Sequence, residues 1–142
     1  MRDLVRGIYN RLSSDAHLRN MLGTFDDLPS VFTAAPIPEM ATYPFVWINA
    51  SVSDIDAPVK NGTGRIVVSS IGVYSHANGD IDAVEEPAEY IRGVLSSVEK
   101  KGDTLVRGWR VTGSVPSGPV ANDLDDLYGR VVSIEFTMFR PE

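Results

Sequence analysis

The chain has 142 residues and no cysteine. That absence excludes thiolate zinc sites, iron–sulfur clusters, cysteine nucleophiles and disulfide scaffolds. Histidine is nearly missing as well, with only His17 and His76. Lysine is confined to Lys60, Lys100 and Lys101, and the arginines are scattered rather than gathered into a stripe. Together with a formal net charge of −6, this argues against tight nucleic-acid binding by counterion release, which needs clustered Lys and Arg. Long apolar runs are absent, and none approaches the ~18 residues of a membrane span. In the opening MRDLVRGIYNRL, Arg2, Asp3, Arg6 and Arg11 interrupt the apolar positions, so the expectation is a soluble protein that folds where it is made. Without a secretory signal, the sequons at Asn49 and Asn61 are read as chance matches.

What is present fits a single domain over residues 1–142, large enough to bury one core. The chain is organised around Arg65 to Lys101. A strand, RIVVSSIGVYSHA, is broken by Asn78-Gly79-Asp80 and followed by a helix expected from near Asp82, with Pro87 as a mild irregularity. Ile81, Val84, Ala88, Ile91, Leu95 and Val98 recur at three- and four-residue steps and form one apolar stripe. Each such side chain contributes about 1.5–3 kcal/mol when buried, so the stripe requires a sheet to cover it. Glu85, Glu86, Glu89, Arg92, Glu99 and Lys100 form the solvated face.

Before this unit, Leu4, Val5, Ile8, Leu12, Leu18 and Leu22 predict one bent helix or two short ones. Ser14 or Asp15 is a suitable N-cap and Gly23 the stop. Thr24 to Thr42 is a proline-bearing connecting arm, with a short extended piece at Val31 to Thr33. Alternation from Phe45 to Ser53 predicts a strand, with Val46, Ile48, Ala50 and Val52 on one side and Phe45, Trp47, Asn49 and Ser51 on the other. SDIDAPVKNGTG then reads as a long mobile loop of a hairpin, a length often tied to function. LVRGWRVTGSV predicts a third strand with Leu105, Trp109 and Val111 on one face, and PSGPVANDLDD a turn-rich loop. YGRVVSIEFTMFR predicts a last strand facing inward through Val132, Ile134, Phe136 and Met138.

Helix, helix, strand, strand, helix, strand, strand implies an α+β domain with a mainly antiparallel four-stranded sheet and helices packed on one face. Phe45, Trp47, Ser69, Ile71 and Val73 suggest that the second face is partly apolar. Either a subunit interface or the proline-rich arm would cover it.

No motif spells out a reaction. Ser75 and His76 are adjacent on a strand and point to opposite faces, so a Ser-His-Asp set with Asp80 does not form. Asp123, Asp125 and Asp126 depart from calcium-loop spacing and read as a solvated turn. The Gly62 to Gly64 stretch lacks the lysine and helix of a phosphate loop. Trp47 and Trp109 read as core or interface anchors. Catalytic, cofactor-binding and metal residues are therefore all expected to be none.

The order and spacing of these segments resemble the tail completion family of long-tailed bacteriophages, which includes tail terminators, tail-to-head joining proteins and their gene transfer agent equivalents. The resemblance is carried by Leu12, Leu18 and Leu22-Gly23, by Tyr43-Pro44-Phe45-Val46, and by IGVYSHANGD leading into Ala88, Ile91 and Leu95. LVRGWRVT and YGRVVSIEFTM complete it. Tyr74 stands where many relatives have tryptophan, and Phe45 where tyrosine is usual.

The resemblance implies a non-enzymatic virion protein without cofactors, assembled in the bacterial cytoplasm. It would form a ring, a hexamer, that ends the tail tube and docks on the head connector or stopper while DNA passes through its lumen. An acidic lumen would let phosphates slide past. Asp54, Asp56, Val59, Lys60, Phe45 and Trp47 become candidate subunit or tube contacts, with the arm from Thr24 to Thr42. A small α+β ligand-binding protein or enzyme working as a dimer is the alternative from another class. Another connector or minor tail component of the same particle is the alternative within this one.

Overall fold

A computed structural model describes residues 2–34, 37–49, 53–57, 59–76, 80–96, 105–123 and 126–141. Helix α1 (Arg2–Ser13) buries Leu4, Ile8 and Leu12, the stripe its spacing predicts. Asp15 caps the short α2 (Ala16–Arg19), its side chain accepting from the Leu18 amide at 3.0 Å. This helix ends at Asn20 rather than running to Gly23. The arm holds three two-residue strands: β1 (Thr24–Phe25), β2 (Leu28–Pro29) and β3 (Val31–Phe32).

The remaining elements are β4 (Phe45–Ile48), β5 (Ser53–Ala57), β6 (Gly62–His76), α3 (Asp82–Ser96), β7 (Arg110–Ala121) and β8 (Leu127–Pro141). β3, β4, β6, β8 and β7 lie in that order, with β5 also paired to β6. The α+β class and the mainly antiparallel sheet hold, but the sheet has six strands, not four. The additions have physical causes. Val31 and Phe32 in the arm pair parallel to Val46 and Trp47. The segment expected to be a long loop contains β5, whose Ser53 to Ala57 pair with Val68 to Gly64, so only residues 58–61 connect it to β6. β4 and β5 pair with opposite halves of the long β6; of the strand expected from Phe45 to Ser53, Ala50, Ser51 and Val52 lie outside the described residues.

α3 includes Pro87 and buries Val84, Ala88, Ile91 and Leu95. Ile81 departs from the expected stripe: it precedes the helix and is 43% exposed. Val98 lies outside the described residues. Leu105 and Trp109 are buried as expected, yet they precede β7, which continues through Val120 into the stretch read as a loop.

One core joins these pieces. Leu4, Ile8, Leu12 and Leu18 from the helices meet Val46, Ile48, Val67, Ile71 and Val73 from the sheet, with Val132, Ile134, Phe136 and Met138 from β8. Register settles the faces. Val46 pairs with Val73 and Ile48 with Ile71, so Ser69, Ile71 and Val73 belong to the core face and not, as the sequence suggests, with Phe45 and Trp47. Two polar links tie the helices. Tyr90 donates to both carboxylate oxygens of Asp15 at 2.9 and 2.8 Å, and the buried Arg130 donates from Nε to Glu85 Oε1 at 3.2 Å.

Candidate functional site

The helices cover one face of the sheet and leave the other open. At its upper end the arm folds over that open face. Phe45 is only 5% exposed, held among Phe32, Tyr43 and Tyr74 at ring-centroid distances of 6.3, 5.6 and 5.5 Å. Tyr43 also stacks on His76 at 4.0 Å. Trp47 is half-buried beside this cluster, on a cleft of about 280 Å³ that it shares with Ile37, Ala41, Tyr74 and Leu127. The Tyr74 hydroxyl accepts from the Asn122 amide at 3.2 Å. Burial pushes the Tyr74 phenol above its ordinary range, and the Asn122 contact opposes that shift.

Below the arm the face is bare. Cross-strand rows run from Ile55 through Ile66 to Thr137 and from Ser53 through Val68 to Glu135. β7 adds Val115, 62% exposed, and Val120, 61% exposed. Ile55 is 56% exposed. The β7 edge is blunted against strand addition by Pro116, Pro119 and two register shifts.

The residues singled out from sequence fall into three places. Asp54 is tied to Arg65, which donates from Nε at 2.8 Å. Desolvation raises the Asp54 carboxyl, but charge-assisted hydrogen bonding, that from Arg65 included, outweighs it and leaves the group below its ordinary value. Asp56 is exposed opposite Arg65 in the ladder. Val59 and Lys60 are exposed at the turn of the β5–β6 hairpin. Trp47 and the buried Phe45 belong to the aromatic end, so the six do not form one cluster.

Sequence reasoning missed a second feature on the helix side. Gly7 of α1 lies so close to Leu105 that an added Cβ would run into the Leu105 carbonyl. Gly108, at φ +84°, turns the chain where L side chains rarely go. Between α1 and this turn lies a cleft of about 630 Å³, lined by Asp3, Arg6, Asn10, Val106 and Arg107 among others. The only sequence signal for it was the pair of glycines.

No three of His, Asp and Glu come together as metal ligands among the described residues. Asp123 accepts from the Gly129 amide at 3.1 Å and lies 3.7 Å from Arg130, a structural role for that carboxylate, while Asp125 lies outside the described residues. Ser75 is buried and His76 exposed, on opposite faces. No helix among the described residues is long and apolar enough to cross a membrane.

The class defined by this arrangement is an α+β domain with a long two-stranded spine, helices on one face and an open sheet on the other. No family model and no curated protein matches the chain. Its fold is similar to that of a solved chain described as "Virion of native gene transfer agent (GTA) particle": TM-score 0.75, 22% identity, covering 95% of this chain and 93% of that one. A second solved chain is similar at a TM-score of 0.56 and 19% identity, covering 100% of this chain and 99% of that one.

Proposed function

We propose that the chain is a structural protein of a phage-like virion. It ends the tail tube and joins it to the head connector as a ring of like subunits, a hexamer, and has no catalytic activity. The observation that carries this reading is the end-to-end similarity in fold to a chain of a gene transfer agent virion, at 95% and 93% coverage. The open sheet face supports it, because a surface with Ile55, Val115 and Val120 exposed suits burial in an assembly. DNA passes through the lumen without specific binding, consistent with a net charge of −6.

In this reading Asp56, Val59 and Lys60 project from the β5–β6 hairpin towards the tube or a neighbouring subunit. Asp54 holds the hairpin through Arg65, and Phe45 supports the rim at which Trp47 makes contact. Assembly takes place in the bacterial cytoplasm, with the mature location at the head-proximal end of the tail.

The test is a particle-producing strain from which this gene is removed. Filled heads and unjoined tubes of irregular length are the expected products. Wild-type protein restores joining, whereas a chain carrying Val59→Asp and Lys60→Glu restores it poorly while folding normally. Joined particles of normal length in the absence of the gene would remove the assigned role.

A further inference from the structure

The subunit has two unlike broad faces. On the open sheet face, Glu135 is the only charged residue among the described residues in the cross-strand rows from Ile66 to Gly72. It is exposed, lies opposite Val68 on one side and Val115 on the other, and its carboxylate has no ion pair or hydrogen bond among the described residues. On the helix side, Arg6 and Arg107 line the 630 Å³ cleft built where Gly7 admits the Leu105 backbone. Both are exposed, and neither guanidinium has a partner among the described residues. Asp3 lines the same cleft without pairing to either.

We propose that the open sheet face of one subunit receives the α1 face of a second copy, with Glu135 of the first seated between Arg6 and Arg107 of the next. This contact presupposes the ring of like subunits proposed above. Three observations support it together. An unpaired carboxylate on an otherwise uncharged surface meets unpaired guanidiniums beside a cleft, the arrangement that gives strong charge-assisted hydrogen bonds. The apolar side chains around Glu135 supply area, while the charges fix register and orientation. Front and back are different surfaces on opposite sides of the same sheet, so the contact is heterologous and propagates from copy to copy until rotation closes a ring.

The contact is tested on the full-length chain by charge reversal and sedimentation velocity over a range of concentrations. Glu135→Arg alone, and Arg6→Glu with Arg107→Glu, should each weaken self-association by about a hundredfold, since like charges then face each other. Circular dichroism of each variant should match the wild type. Mixing the two variants should restore association, because each then presents the surface complementary to the other. A wild-type oligomer that neither variant disturbs overturns this contact and leaves the ring reading standing. Variants that dissociate but do not recombine overturn the pairing. A wild-type chain that stays monomeric up to millimolar concentration overturns both.

Discussion

Tyr74 lies directly opposite Gly129 in the β6–β8 ladder, and its ring spans two bare stretches of backbone. A Cβ added at Gly129 would stand 2.5 Å from Tyr74 Cε1, and one at Gly72 would stand 2.5 Å from Cε2. The ring therefore covers both glycines and carries the aromatic cluster beneath the arm. Sheet and arm are joined at this point.

Gly129→Ala should accordingly displace the Tyr74 ring and loosen the arm. The new methyl also meets the Asn122 carbonyl, so relief cannot come from the ring alone. A loss of about 1–3 kcal/mol, typical of overpacking, is expected from denaturant unfolding, along with a changed near-ultraviolet aromatic signal. Unchanged stability and spectrum would show that the ring is not held there.

Asp15 does two jobs, capping α2 and accepting from Tyr90 of α3. Asp15→Ala should cost about 1–2 kcal/mol, and Tyr90→Phe about 1 kcal/mol, in thermal or denaturant melts. The hydrogen bond to Asp15, aided by burial and by the carboxylate charge, raises the Tyr90 phenol above its ordinary value of 10.0. A raised value means that the contribution is complete below 10.0 and is lost as pH climbs through the folded-state value. Wild-type protein should thus lose more stability than Tyr90→Phe in alkaline buffer.

The Asp54–Arg65 pair works in the opposite direction. Its carboxyl is held below the ordinary value of 3.8, so its contribution is present above that pH and disappears as pH falls through the folded-state value. Both side chains are partly exposed, which keeps the effect near about 0.5–1 kcal/mol. Asp54→Asn should flatten this part of the acid-unfolding profile, and an identical profile would assign the Asp54 carboxylate no stabilising role.

Ser69 is fully buried on the core face, and its hydroxyl has no hydrogen-bond partner among the described residues. Removing an unsatisfied buried hydroxyl relieves a desolvation penalty of about 1–3 kcal/mol. Ser69→Ala should therefore be neutral or stabilising in a thermal melt. A clear loss of stability would mean that the hydroxyl has a partner in solution.

Where periodicity spoke to one element at a time, the sequence was readable. The α1 stripe of Leu4, Ile8 and Leu12, the Val84, Ala88, Ile91 and Leu95 part of the α3 stripe, the inward set of β8 and the Asp15 cap all appear as spacing and residue type predict. Pairing was less legible. β5 is built from Ser53, Asp54, Ile55, Asp56 and Ala57, a polar string that becomes a strand only because β6 is long enough to pair with two partners. β7 continues past Pro116 because edge strands tolerate proline, whereas sequence reading takes proline as a stop. The face of Ser69, Ile71 and Val73 is not legible in the sequence, because a strand apolar on both sides gives no internal clue to which side is covered. Glu135, Arg6 and Arg107 were invisible as a set, since they sit on different elements and their relation follows from which face the helices leave bare.

The proposed role requires this chain to close into a ring. Its most direct test is the mass of the purified protein at several concentrations, followed by negative-stain imaging of the largest species. Rings of about six subunits with a central hole are expected, the closed outcome of a heterologous contact. A compact dimer without a hole, or a monomer at every concentration, would contradict it.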